Sequence, residues 1–498
     1  MKKLPLTLIT LSLGAASTQA AVATKPKSTS ASPNGKNVLF ILVDDMQETA
    51  LMSMGKKSTG SKVITDLMDQ STRYTNCYTM GALQGALSMP SRAMLMTGRT
   101  FYETHQEGQV IPQSIKTMPE SLRESGYRTF ATGKWHSDFA SYARSFSHGD
   151  NIYFGGMHQY ETGGHVTPYL RHFREDGKYG QEPTFMGDKF SSEMFADAAI
   201  EFLESETGKG DPFFCYVAFT SPHDPHDKVA SYSSPQDTTI LPIPANFAPA
   251  HAFDNGDLDV RDELVIPPPR TREQIIGQTG RYGSMIDEVG QQIGRLLAAL
   301  EATGEADNTI IVFASDNGLA MGQHGLLGKQ SLYEHSIGVP MFIRDAAQEK
   351  GYESEALCYL SDIAPTLYDM LEMEAPSTVT TPSLSKTLKG SDKGERDALL
   401  LLYMTNQRAV VWDNKKYIIY NVNGLITKQL FDLKKDPLEM VNLADNPKYS
   451  KTLDRYHAKL VELMAQNNDI CDLNLATWWG DGKRITWNEA LNTVNLLQ

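Results

Sequence analysis

The sequence predicts an α/β fold with a mainly parallel sheet, followed by a smaller C-terminal part with antiparallel strands and a helical end. Three observations predict it. Short apolar runs recur without polar alternation, as strands buried on both faces of a parallel sheet require. Amphipathic helical segments alternate with those runs. Beyond about residue 390 the pattern changes to short strand-like runs at close spacing, the pattern of antiparallel hairpins. The chain has 498 residues, enough for one large domain and a smaller one.

Taken in order, Lys2 and Lys3 precede an apolar and small-residue stretch from Leu4 to Ala16. Ala21-Val22-Ala23 offers a cleavage site, and cleavage after Ala20 is the alternative. Residues 1–23 therefore read as a secretory signal peptide, with a plain N-terminal anchor as the other reading, and residues 24–35 as a flexible leader. No later segment has the length and apolarity of a membrane span, so no stable membrane insertion is expected. Asn37 to Val43 reads as a buried strand. Thr117-Met118-Pro119-Glu120 is a capping box, and the helix it opens ends at Gly126. Tyr127 to Ala131 is the next strand, Phe190 to Leu203 a helix, and Phe213 to Phe219 a strand. Met285, Val289, Ile293, Leu296, Leu297 and Leu300 mark one helical face before the strand Thr309 to Ala314. Residues 225–270, rich in Pro and Asp, read as an excursion over the surface. Residues 36–390 form the expected catalytic domain and 391–498 the C-terminal subdomain. There, Leu399 to Tyr403, Ala409 to Trp412 and Tyr417 to Tyr420 read as strands before a helical end.

The net charge is −14, from 46 basic and 60 acidic residues, which argues against nucleic acid as a partner. Cys77, Cys215, Cys358 and Cys471 are too widely spaced for a metal motif, and their spacing leaves a disulfide open.

In open α/β sheets, ligands bind beyond the carboxyl ends of the strands. Each long strand delivers polar groups there: Asp44-Asp45, then Gly133-Lys134-Trp135-His136, then Ser221-Pro222-His223-Asp224-Pro225-His226, then Ser315-Asp316-Asn317-Gly318 with Lys329 beyond. Each alone is a plausible cap, turn or structural histidine. Together they place Asp44, Asp45, Lys134, His136, His223, Asp316, Asn317 and Lys329 on one rim. Asp44, Asp45, Asp316 and Asn317 are hard oxygen donors, which suit Ca²⁺ or Mg²⁺ rather than Zn²⁺.

A further segment sharpens this reading. Ser88-Met89-Pro90-Ser91-Arg92 is followed by Ala93-Met94-Leu95-Met96 and Thr97-Gly98-Arg99. It resembles the signature of the type I sulfatases of the alkaline phosphatase superfamily: Cys or Ser, any residue, Pro, any residue, Arg, then a small-apolar run closing in Thr-Gly-Arg. The strand-end segments and Leu430-Phe431-Asp432 through Asn442-Leu443 are similar to other stretches of that family, from Asn37 to about Leu443. The resemblance implies an alkaline-phosphatase-like fold, a mixed, mainly parallel sheet between helices with a smaller C-terminal α+β subdomain, and Ca²⁺ in preference to Mg²⁺. It implies that Ser88 is oxidised to formylglycine (3-oxoalanine). One hydroxyl of the hydrated aldehyde attacks sulfur, and the other, once deprotonated, lets sulfate leave, an exit that a serine ester lacks. By residue-to-residue likeness, Asp44, Asp45, Asp316, Asn317 and the modified Ser88 hold the metal. Arg92 supports the diol, Lys134 and Lys329 bind sulfate oxygens, His136 partners the second hydroxyl, and His223 is the general acid. Ser in place of Cys implies a radical-type maturase as partner, usual in anaerobic bacteria.

The implied activity is hydrolysis of sulfate esters on glycans such as mucin, glycosaminoglycan or another sulfated polysaccharide, by a periplasmic or secreted bacterial enzyme. The rivals are a phosphonate or phosphate-ester hydrolase of the same superfamily and a catalytically silent glycan-binding relative. His165, His158, Tyr160, Arg171 and His226 are candidate sugar contacts, and Trp478 and Trp479 a candidate stacking platform.

Overall fold

The computed structural model describes residues 34–478 except 160, 162, 181–183, 207, 227–240, 346–347 and 349. The signal-peptide call, nearly all of the leader, Tyr160 and Trp479 lie outside the described residues.

The central sheet is built from β1 (Asn37–Val43), β2 (Thr72–Tyr74), β3 (Arg128–Lys134), β4 (His148–Tyr153), β5 (Phe213–Ala218), β6 (Thr309–Ser315), β7 (Met341–Arg344) and β8 (Tyr352–Ser354). Their order is β8-β2-β7-β6-β1-β5-β3-β4. The five strands from β6 to β4 are parallel. β7 runs antiparallel to both β6 and β2, so the sheet is mixed as expected. All seven residues of β1 are buried. Its alternate residues feed different layers: Leu39, Ile41 and Val43 one core, Val38, Phe40 and Leu42 another. That two-faced burial explains the unbroken apolar run.

The helices that matter here are α1 (Thr59–Asp69), α2 (Ser88–Thr97), α3 (Met118–Glu124), α4 (Ser191–Glu206), α5 (Arg272–Ala302), α6 (Ile363–Met370) and α7 (Ser450–Gln466). α1, α4 and α5 cover one sheet face, and α2, α3 and α6 cover the other. The box at α3 is formed: Thr117 Oγ accepts the Glu120 N–H at 3.2 Å, and Glu120 returns to the Thr117 N–H at 3.3 Å.

The C-terminal sheet is an antiparallel run of β9 (Ala398–Tyr403), β10 (Gln407–Trp412), β11 (Lys415–Val422) and β12 (Leu425–Asp432), packed by α7. Gly81–Ala82 joins it as a fifth, parallel strand beside β9. Gly81 sits at φ 99°, and a Cβ there would lie 1.8 Å from the Leu402 carbonyl oxygen, so only glycine allows this approach.

Two expectations change. β2, β4, β7, β8 and β12 were not read from the sequence. β7 has four residues after a proline, and β12 is an edge strand whose Leu425 and Ile426 are exposed. The 225–270 stretch is more than a surface excursion. Its described part, 225–226 and 241–270, buries His226, Leu241, Asn255, Asp257, Glu263 and Arg270. The Glu263–Arg270 ion pair at 2.7 Å pins it beneath the Lys329 segment, because Glu263 also accepts the Leu327 and Gly328 N–H groups.

Candidate active site

The carboxyl ends of β1, β3, β5 and β6 converge with the first turn of α2. Ser88 is the first residue of α2 and is buried, so its hydroxyl is not a helix cap. It donates to Asp44 Oδ1 at 3.4 Å. Lys329 Nζ donates to it at 3.0 Å, and Asn317 Nδ2 at 3.3 Å. Arg92, one turn further on, donates through Nε to Asp316 Oδ2 at 2.7 Å and through Nη1 to the Lys134 carbonyl at 2.8 Å. The α2 signature thus joins the ends of β3 and β6.

Two lysines face two carboxylates. Lys134 Nζ donates to Asp44 Oδ2 at 2.6 Å, and Lys329 Nζ to both Asp45 oxygens at 2.7 Å. Lys134 is the last residue of β3, three residues beyond the expected strand end. The preceding Gly133, at φ 84°, bulges where a Cβ would lie 1.9 Å from the Ala218 carbonyl oxygen. Burial alone would raise Asp44; Lys134, His223, Arg92 and Lys329 outweigh it and hold the carboxyl well below its usual range. Burial pushes Asp45 up to about 6, because Asp44 and Asp316 add to it while Lys329 and His223 only partly offset it. Burial lowers Lys134 despite Asp44, whereas Lys329 is raised because Asp45 and Asp44 overcome its burial.

His223 Nε2 lies 3.4 Å from Asp45 Oδ2, and its Nδ1 lies 2.9 Å from Asp224 Oδ1. Burial disfavours its charge, but Asp45 leads the carboxylates that raise it overall. Asp224 is in turn bound by both terminal nitrogens of Arg261. The sequence reading did not single out Asp224 or Arg261. Asp224 was visible beside His223, while Arg261 lies far along the chain in the stretch read as surface. His136 is half-buried at φ 65°, and its Nδ1 has no hydrogen-bond partner among the described residues. Burial, then Lys134, holds it well below the usual histidine range, so it is neutral.

Ser88, His136, His223 and Lys329 open onto a cleft of about 670 Å³, walled by Tyr153, Gly155, Gly156, Val260, Arg261 and Asp262. The donor chemistry fits a hard divalent cation. Asn317 Oδ1 is buried without a hydrogen-bond partner among the described residues, and Asp45 remains raised even against Lys329. Asp44, Asp45 and His223 each offer a ligand atom within 4.8 Å of the others.

The structure does not bring all the candidate sugar contacts here. His165 is fully buried. Its Nδ1 lies 2.9 Å from Ser191 Oγ and its Nε2 3.0 Å from the His223 carbonyl, so both nitrogens already serve the protein. It braces the His223 segment from behind. Trp478 is 0 % exposed in the C-terminal core, and a ring with no open face cannot stack on a sugar. Arg171 donates to the Tyr179 carbonyl at 2.8 Å, away from the cleft. His158 and His226 line a neighbouring cavity of about 780 Å³ that shares Met157, Gln159 and Arg261 with the cleft. His158 Nε2 is 3.2 Å from Thr220 Oγ1, and His226 Nδ1 is 2.6 Å from Gln278 Nε2.

Against known proteins, the family model described as Sulfatase matches residues 36–373. A second, described as N-sulphoglucosamine sulphohydrolase, C-terminal, matches residues 322–466. An N-acetylglucosamine-6-O-sulfatase of Bacteroides thetaiotaomicron is 27% identical over 87% of this chain and 87% of its own. An arylsulfatase of Clostridium perfringens is 25% identical, with 88% and 96% covered. A solved structure of a protein in complex with its substrate, D-glucosamine-2-N,6-O-disulfate, superposes with TM-score 0.68 at 25% identity, covering 87% of this chain and 98% of that one. A phosphonate monoester hydrolase from Silicibacter pomeroyi shares the fold at TM-score 0.67 and 20% identity, covering 88% and 97%.

Proposed function

The chain belongs to the sulfatase family and is a sulfuric-ester hydrolase, and from that premise we propose that it is an exported enzyme removing sulfate from glycans through a formylglycine made from Ser88. The observation that carries this is the convergence on one hydroxyl. Asp44, Lys329 and Asn317 all lie within 3.0–3.4 Å of Ser88 Oγ, at a helix start, on the floor of an open cleft. Backbone N–H groups at that helix start favour an anion.

Asp44, Asp45, Asp316 and Asn317 would hold Ca²⁺, with Mg²⁺ as second choice. Such a cation supplies the positive charge that polarises a sulfate oxygen. Lys134 and Lys329 bring further positive charge to the ester, and Arg92 fixes the Ser88 helix against Asp316. His223, held on the Asp224–Arg261 pair, delivers the proton to the leaving oxygen. Neutral His136 accepts a proton from the hydrated Ser88 aldehyde. The glycan class is suggested by the relatives' substrates, and a location outside the cytoplasm by the N-terminal sequence.

The test joins three measurements on protein from a host with a serine-type maturase. Mass spectrometry should show loss of two hydrogens at Ser88. Turnover of a sulfate ester should exceed that of the matched phosphate and phosphonate esters, and chelation should abolish it. An active preparation with unmodified Ser88 would overturn the mechanism. A preference for the phosphonate would move the chain to the phosphonate hydrolase reading.

A further inference from the structure

The turn that presents Asp45 is held from outside the rim, by two hydroxyls that no step of the reaction uses. β1 ends at Val43, and Asp45 follows at φ 64°, in the left-handed region. A non-glycine residue is strained there and persists where its surroundings fix it. The strain has a use. In a strand, consecutive side chains leave opposite faces, yet Asp44 and Asp45 serve one site. Asp44 accepts from Ser88 and Lys134, and Lys329 joins Asp45 to the same Ser88 hydroxyl. The two carboxylates offer oxygens within 4.8 Å of each other.

The Tyr282 hydroxyl, in α5, donates to the Asp45 carbonyl at 2.7 Å and accepts the Gln47 N–H at 2.9 Å. The Ser315 hydroxyl, at the end of β6, accepts the Met46 N–H at 2.8 Å and donates to the Asn317 carbonyl at 2.7 Å. Asp45, Met46, Gln47, Tyr282, Ser315 and Asn317 are all buried. Burial also raises the Tyr282 hydroxyl well above the usual tyrosine range, so it keeps the proton it donates. The Tyr282 ring stands edge-on to His226, with 5.5 Å between centroids, a contact that does not depend on the hydroxyl.

We propose that Tyr282 and Ser315 are positioning residues, whose hydroxyls hold the Asp45 turn in the shape that lets Asp45 and Asp44 share one divalent cation. This rests on the cation site of the proposed mechanism. The same pair of bonds occurs elsewhere in the molecule with no ligand to serve. In the C-terminal core the Tyr359 hydroxyl donates to the Leu400 carbonyl at 2.7 Å and accepts the Leu400 N–H at 2.8 Å. Removing either tyrosine hydroxyl strands a buried carbonyl and a buried N–H, so both losses lower stability. Only the loss at Tyr282 loosens a residue that offers oxygen to a cation.

The probe is Ca²⁺, titrated calorimetrically into the whole protein after chelation and removal of the chelator. Tyr282→Phe, which keeps the ring, should weaken binding about 10- to 100-fold, as loss of a group that orients a metal ligand does. Ser315→Ala should weaken it by about tenfold, while Tyr359→Phe stays within about twofold of wild type. Unchanged affinity in a folded Tyr282→Phe overturns the proposal. So does an equal loss in Tyr359→Phe, which would make the effect one of stability alone. If Tyr282→Phe does not fold, Ser315→Ala decides, and unchanged affinity there overturns the proposal. If wild type takes up no Ca²⁺, the cation reading fails and the proposal with it, whereas Ca²⁺ uptake that is indifferent to both hydroxyls leaves the cation reading standing and removes only the proposal.

Discussion

Two arginines, Arg92 and Arg408, are equally buried and differently used. Arg408, in β10, spends every donor. Nε and Nη2 grip Asp469 at 2.6 and 2.9 Å, Nη1 reaches the Met404 and Gln407 carbonyls at 2.8 Å, and Nη2 also meets Cys471 Sγ at 3.1 Å. Arg92 binds Asp316 and the Lys134 carbonyl, but its Nη2 has no hydrogen-bond partner among the described residues and lies 3.7 Å from Asp44. One buried charge is saturated and closed off. The other stops short of saturation beside Asn317 Oδ1 and His136 Nδ1, which also lack partners. Burial and ion pairing alone therefore do not mark a working site. What separates these two arginines is unspent hydrogen-bonding capacity, absent at Arg408 and present at Arg92 Nη2.

The largest expected effect removes the centre of the unsaturated cluster. Ser88→Ala should cost on the order of 10⁶ in kcat, as loss of a nucleophile does, while leaving the circular dichroism spectrum and Tm nearly unchanged. Retained turnover would remove Ser88 from the mechanism. Next, Arg408→Met should cost about 3–5 kcal/mol of stability by stranding Asp469, with kcat per folded molecule intact. Arg92→Met should lower kcat per folded molecule by about 10²–10³ as well as lowering Tm. If both variants lose only stability, the distinction between the two arginines collapses.

A buried carboxyl with no cation beside it among the described residues provides the third case. Glu288 in α5 has Ser192, Gln292, Glu193 and Asp287 around it, and burial pushes it up to about 8 from a usual 4.5. The folded state thus holds its proton more tightly than the unfolded chain. Its contribution to stability is full below pH 4.5 and is lost as pH rises through 8. Denaturant titrations should show a loss on the order of a few kcal/mol across that window in wild type and a flatter profile in Glu288→Gln. Identical profiles would show that Glu288 does not titrate in the fold. The smallest effect is Thr117→Ala, about 1 kcal/mol for a lost cap, read as a small fall in Tm with activity unchanged.

The convergence of the candidate rim was legible because strand ends are signalled locally. An apolar run stops, and the next residues are Asp44-Asp45 or Asp316-Asn317. The Ser88 helix start was legible for the same reason. The sugar contacts were not, since His165 and Trp478 carry suitable chemistry in loops but are turned inward by packing that no local pattern records. Arg261 was missed in the opposite way. It lies 37 positions from Asp224, and only the closed fold brings the two together. β7 was missed because four residues carry too little periodicity to read.

The pairing of Gly81–Ala82 with β9 has a consequence for how this architecture can change. The C-terminal sheet is completed by a strand only a few residues before Ser88. It cannot be exchanged as a cassette with that of a relative, because a transplanted sheet would have to accept a foreign edge strand and the narrow berth that only glycine permits. Change in that sheet is therefore tied to change in the segment that leads into Ser88, and the two have to vary together.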